Sequence, residues 1–192
     1  LTLEWYAVEG LVGAGKTTTA QLVGPSLDMS TVLEQTDAHP FITAYYQDPR
    51  RFALETELAF MAIHLHQIKC ATGPIVSDFS PAKNLIYGAG QLEGADLAAL
   101  RAIDQHLWRD LPPPAVALFL DVPTDVCLKR LQRRGRPFEQ GITIEDLNAL
   151  RHGYLASLTQ LAVEVVRFEL SGDESPEIVA KLASESIDRH RA

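Results

Sequence analysis

Two apolar rhythms alternate along this chain. Short, nearly uncharged runs are separated by longer stretches in which apolar residues return every three or four positions. The short runs WYAV (5–8), TVLEQ (31–35), PIVSD (74–78), AVALFLDV (115–122) and VEVVRFEL (163–170) read as five strands. Between them, residues 16–23 place Ala20 and Val23 on one helical face. Over residues 51–69, Leu54, Leu58, Met61, Leu65 and Ile68 follow alternating steps of four and three, a single helix stripe. Leu97, Leu100, Ile103, Leu107 and Leu111 mark another long helix, ended by Pro112 to Pro114. Further helices are expected from Pro123-Thr124 onward, over residues 143–162, and over residues 175–189. Strands separated by helices call for crossover connections and a parallel sheet covered on both faces. The expected fold is α/β, a three-layer α/β/α domain with a five-stranded parallel sheet. No internal repeat or long linker divides it, so residues 1–192 read as one domain.

Composition narrows the function. The apolar fraction is 46% and no run approaches the roughly 20 residues of a membrane span. No charged-then-apolar leader opens the sequence. Cys70 and Cys127 lack metal-ligand spacing and read as reduced packing residues. The expectation is a cytoplasmic protein without a membrane partner, although Leu1 to Leu3 need not be its natural start. A net charge of −8 argues against a nucleic-acid partner. An anion site here must therefore be a local basic cluster.

GLVGAGKTT (10–18) supplies one. Gly10, Gly15, Lys16 and Thr17 satisfy the phosphate-loop pattern between a strand and a helix, with Gly13, Ala14 and Thr18 completing the expected ATP-binding loop. Backbone N–H groups can turn inward around phosphate oxygens, Lys16 adds a point charge, and Thr17 offers a hydroxyl to Mg²⁺. A second cluster, KRLQRRGRPFEQG (129–141), holds Lys129, Arg130, Arg133, Arg134 and Arg136 without an intervening acid. Arg130 and Arg134 share a helix face. Guanidinium forks meet the charge that spreads over a moving phosphoryl group, which makes this segment a candidate lid with Gly135 and Gly141 as hinges. Neither the metal-binding D-x-x-G nor the guanine-reading N-K-x-D of a GTPase switch occurs. The fourth strand ends in one acid, LFLDVP, not the paired acids of a remodelling ATPase. A small phosphotransferase fits best.

The order of motifs resembles the deoxynucleoside kinase family, of the bacterial deoxyadenosine/deoxyguanosine kinase type, from the first strand to about Leu150. The shared features are LEQ after strand two, YQDPRR, DFS at the end of strand three, and the long ordered string RRGRPFEQGI. The resemblance implies transfer of phosphate from ATP, with Mg²⁺, to the 5′-hydroxyl of a deoxyribonucleoside, and a homodimer formed through helices. It makes Glu34 the general base and Asp78 a metal ligand beside Thr17. Lys16, Arg130, Arg134 and Arg136 are then the cations acting in transfer. Tyr46 and Glu139 match the pair that holds the sugar 3′-hydroxyl. The alternative for Asp78 is a helix cap, since Asp78 or Ser80 could also start the next helix, and the position favours the metal.

Two positions depart from the family pattern. Phe79 stands where the family has Arg, and Lys83, one turn later, is the candidate to return a cation to that face. Glu57 stands where the family reads the base with Gln, on a helix face shared with Phe60 and His64 that suits a pocket wall and makes Glu57 and His64 candidate substrate-binding residues. A carboxylate only accepts, which suits the adjacent N1–H and 2-amino donors of guanine and favours deoxyguanosine among purines. Tyr87 is the candidate to stack on the base. Two other readings remain open: a kinase of the thymidylate kinase type, and a module that senses ATP without catalysis. The first needs extra cations around its acceptor, and between Tyr46 and His64 only Arg50 and Arg51 are available. The second expects no general base, yet Glu34 is present.

Overall fold

The computed structural model describes residues 3–158 and 163–191. Its sheet has five parallel strands, β1 (Trp5–Gly10), β2 (Ser30–Val32), β3 (Ile75–Ser77), β4 (Val116–Asp121) and β5 (Glu164–Glu169), in the order β2-β3-β1-β4-β5. β1 and β4 have neighbours on both sides and every residue of each is buried. That burial is why they read as nearly continuous apolar runs, each with a single acid near its end. β5 lies at one edge, half-exposed and carrying Glu164, Arg167 and Glu169, charges that discourage pairing with another chain.

The described residues form eight α-helices: α1 (Lys16–Ser26), α2 (Ile42–Gln47), α3 (Pro49–Cys70), α4 (Pro81–Gln91), α5 (Gly94–Trp108), α6 (Thr124–Arg134), α7 (Ile144–Leu158) and α8 (Pro176–Arg191). α1 packs on α8, α3 packs on α4 and α5, and α7 packs on α4 and α6. Chain order reverses at β1, whose neighbours are β3 and β4. In such sheets ligands gather where the strands on either side of the reversal end, and the loop after β1 is the phosphate loop.

Several boundaries differ from expectation, each for a local reason. β2 stops at Val32 instead of continuing to Gln35, because the Glu34 N–H donates to Asp78 Oδ1 at 2.7 Å, not to a ladder partner. β3 begins after Pro74, which has no N–H to give. α3 starts at Pro49, two residues before the expected start at Arg51, since Asp48 caps it by accepting from Arg51 N–H at 3.3 Å. α2 is too short for periodicity to reveal. The expected helix over 143–162 is seen as Ile144–Leu158, and residues 159–162 lie outside the described part. Cys127 is a buried packing residue, whereas Cys70 is exposed at the last turn of α3 beside His66, so it is not one.

Candidate active site

The phosphate loop is held in shape from two directions. Lys16 Nζ donates to the carbonyls of Gly10 at 3.0 Å and Leu11 at 2.9 Å. Arg130, from α6, donates to the carbonyls of Gly13, Ala14 and Gly172 at 3.4, 3.2 and 2.9 Å. Gly13 has φ +85, and a Cβ there would lie 2.8 Å from the Cys127 carbonyl. Only glycine lets the loop lie this close to α6. Burial, aided by Lys83, pulls Lys16 below the ordinary lysine range.

One carboxylate joins this loop to the acid after β2. Asp78 Oδ2 accepts from Thr17 Oγ1 at 2.5 Å, while Asp78 Oδ1 accepts from the Glu34 N–H. The start of α4 falls to Ser80 and Pro81, so Asp78 is not its cap. Burial raises the Asp78 carboxyl, partly offset by the Thr17 hydrogen bond. Two hard oxygen donors side by side, one a carboxylate, fit a Mg²⁺ ion.

Glu34 is surrounded by groups that favour its charge. Lys83 Nζ donates to Glu34 Oε2, Thr36 Oγ1 donates to Oε1 at 2.8 Å, and His64 Nε2 lies 3.4 Å from Oε2. Burial alone would raise this carboxyl, but Lys83 first and His64 second hold it well below the usual range. Lys83 is raised in turn by Glu34, against burial. Phe79 does not face the cleft. It is fully buried with Trp5, Ile68 and Ile75, and its ring carries His64.

The arginine segment closes the far side. Arg134 Nε donates to Glu139 Oε2 at 3.1 Å, and Arg136 reaches Glu139 at 3.6 Å and Asp37 at 2.7 Å. Glu139 is the buried residue of a 3₁₀ turn, Pro137–Glu139, whose half-buried Phe138 stacks on Tyr46 with 5.5 Å between centroids. Burial, then Glu139, raises the Tyr46 hydroxyl far above its usual value. Lid turn and candidate sugar site therefore touch. Gly135, at φ +71, ends α6 as its left-handed cap.

These groups share one cleft of about 780 Å³. Among the residues expected from sequence, Gly13 to Thr18, Glu34, Tyr46, Glu57, Asp78, Lys83, Tyr87, Arg130, Arg134, Arg136 and Glu139 line it. Gly10 and His64 do not. Gly10 lends its carbonyl to Lys16, and His64, with no exposed surface, lies behind Glu34 where no substrate can touch it. The expectation that His64 binds substrate is corrected accordingly. Tyr87 lines the cleft with its ring edge-to-face on Tyr154, 6.2 Å between centroids.

Sequence reasoning missed Tyr45, Ile42 and Thr56 in the wall, and Glu9 beneath it. Glu9 is a buried acid at the end of β1, bonded by Tyr154 at 3.2 Å and raised by burial. Its one available signal was an acid inside an otherwise apolar central strand.

The family model described as deoxynucleoside kinase matches residues 6–188. The chain belongs to the deoxynucleoside kinase family. It is 26% identical to a deoxyguanosine kinase of Bacillus subtilis (strain 168), covering 98% of this chain and 96% of that protein. A deoxyadenosine kinase of Dictyostelium discoideum is 25% identical over 96% of this chain and 80% of its own length. The structure of deoxyadenosine kinase from M. mycoides with bound dCTP superposes with a TM-score of 0.80, at 20% identity, over 96% of this chain and 99% of that one. The last likeness is one of fold. It agrees with the five-stranded parallel sheet expected from the apolar runs.

Proposed function

We propose that this protein transfers the γ-phosphoryl group of ATP to the 5′-hydroxyl of a deoxyribonucleoside, for deoxynucleotide salvage. The observation that carries the reading is the Asp78 bridge, in which one carboxylate joins the phosphate-loop Thr17 to the backbone of the acid Glu34. It sets the donor's phosphate site and the acceptor's base on a common support.

In this reading Glu34 accepts the 5′-hydroxyl proton as the oxygen attacks the γ-phosphorus. The new O5′–P bond forms, the bond from that phosphorus to the β–γ bridging oxygen breaks, and ADP leaves. Lys83 keeps Glu34 ionised and offers positive charge on the side where the family pattern has arginine. Lys16, Arg130, Arg134 and Arg136 meet the charge spread over the moving group. Thr17 and Asp78 would hold Mg²⁺, which when bound neutralises phosphate oxygens. Tyr46 and Glu139 take the sugar 3′-hydroxyl, and the Phe138–Tyr46 stack couples sugar binding to the arginine segment. Tyr87 and Glu57 face the base from the cleft wall. The family resemblance extends the proposal to a homodimer, which sedimentation equilibrium tests.

The decisive experiment measures ADP formation from ATP against a panel of nucleosides and nucleotides. ADP released with deoxynucleosides supports the reading. Release only with thymidylate selects the monophosphate-kinase alternative, and none with any acceptor selects the sensor.

A further inference from the structure

Glu57 stands on α3 in the cleft wall, only 3% exposed. Among the described residues it has no hydrogen-bond or ion-pair partner. The cation nearest in influence is Lys83, from α4, but its ammonium is bonded to Glu34 and lies over the rings of Phe60 at 4.8 Å and Tyr87 at 5.3 Å. The other titratable groups on this side bring no positive charge. Tyr45 comes from α2, Tyr87 from α4, and Glu34 from the loop after β2. His64, two turns along α3, is held below its ordinary range by burial. α5 contributes Leu100, which shares with Glu57 the space beside Gly88.

A carboxylate in such a place has lost most of its water and gained neither donors nor a cation of its own. Keeping its proton is the less costly state. We infer that Glu57 meets the nucleobase as a neutral carboxylic acid, one O–H donor beside one C=O acceptor, and that its ionisation decides which bases are taken.

This rests on the deoxynucleoside kinase reading and changes the expectation for specificity. As an anion, Glu57 accepts twice and matches only the guanine N1–H and 2-amino pair. As an acid it matches any edge with an acceptor beside a donor: adenine N1 with the 6-amino group, cytosine N3 with the 4-amino group, guanine O6 with N1–H. In donor and acceptor pattern it then equals the glutamine of the family motif. Burial pushes the Glu57 carboxyl up to about 8, with Lys83 pulling the other way and Glu34 adding to the rise. Below that pH the acid form dominates and both purines are accepted. Above it the anion dominates, and adenine and cytosine lose their donor.

The test is kcat/KM for deoxyadenosine and for deoxyguanosine, with saturating ATP and Mg²⁺, in wild type and Glu57→Gln. The pH range runs from about 6.5 to just below the range in which guanine N1–H itself titrates. Glu34, Lys83 and His64 act on both substrates, so their titrations cancel in the ratio. The wild-type ratio of deoxyguanosine to deoxyadenosine should rise about fivefold across the range, since an acid with its midpoint at about 8 is almost wholly protonated at the lower limit and mostly ionised at the upper one. In Glu57→Gln the ratio should stay flat. A flat wild-type ratio, or an equal rise in the variant, overturns the inference. Absence of turnover with every nucleoside overturns the kinase reading instead, and thermal denaturation then decides the state of Glu57. Because an unfolded glutamate carboxyl ionises near 4.5, the Tm advantage of Glu57→Gln should grow between about 4.5 and about 8 and then level off. A pH-independent difference would refute the neutral acid.

Discussion

The His64 imidazole lies flat against the Phe79 ring, with 3.8 Å between centroids and 10° between planes. The pair explains how this chain does without an arginine at the end of β3. Phe79 turns into the cluster of Trp5, Ile68 and Ile75, His64 covers it, and the cation arrives from α4 as Lys83. Restoring the family residue by Phe79→Arg should therefore damage the protein. The guanidinium would enter an apolar cluster beside a histidine, at a cost of about 3 kcal/mol or more. Urea denaturation measures it. A Phe79→Arg enzyme that is as stable as wild type and at least as active would show that the cluster is not what sets this position.

Lys83 carries the complementary prediction. Lys83→Met removes the charge that holds Glu34 ionised and, in the proposed reaction, the cation beside the general base. A loss of about 10² to 10³ in kcat/KM is expected, as for other groups that stabilise transition-state charge. The pH profile should move as well. Glu34 must be ionised to accept a proton, and with Lys83 present its carboxyl lies well below the ordinary range, so activity persists into acid. Without Lys83 burial dominates, and the acid limb of kcat/KM should shift to higher pH. An unshifted limb in Lys83→Met would remove Lys83 from this role.

What was legible in the sequence follows from how local each cause is. β1 and β4 announce themselves because strands buried on both faces admit few polar residues, and the phosphate loop because its glycines answer to backbone geometry. The end of β2 was not legible, since the hydrogen bond that draws Glu34 from the sheet is donated to Asp78, far along the chain. The state of Glu57 was hidden for the same reason. Letter and spacing say carboxylate, while the chemistry depends on Lys83 being engaged elsewhere. Glu34 itself reads as an ordinary loop acid, and only the family resemblance singled it out.

The candidate sugar site yields a prediction through Glu139. This carboxylate is buried, and Arg134 and Arg136 fix its orientation. If it accepts from the 3′-hydroxyl, wild type should discriminate against 2′,3′-dideoxynucleosides by about 10- to 100-fold in kcat/KM, the range for a hydrogen bond to a charged group. Glu139→Gln keeps the shape and loses the charge, so overall kcat/KM should fall and discrimination shrink. Competition assays with paired deoxy and dideoxy substrates measure both. Undiminished discrimination in the variant would assign the 3′-hydroxyl to another group.

Gly13 tests how the phosphate loop is supported. Its φ of +85 and the Cys127 carbonyl 2.8 Å from a Cβ leave no room for alanine. Gly13→Ala must either strain the backbone or push the loop off α6, and α6 carries the Arg130 that binds the Gly13 and Ala14 carbonyls. Left-handed strain and the clash together should cost about 3 kcal/mol, which lowers Tm by roughly 6 to 12 °C in a chain of this size. The displaced loop should raise KM for ATP far more than KM for the nucleoside, because the base wall on α3 and α4 makes no contact with Gly13. Gly90→Ala is the control. Gly90 lies inside α4 with no atom within 4 Å of a Cβ, so alanine there should be neutral or add about 0.5 to 1 kcal/mol. If Gly13→Ala behaves like Gly90→Ala in both Tm and KM for ATP, the close contact with α6 is not what shapes the loop.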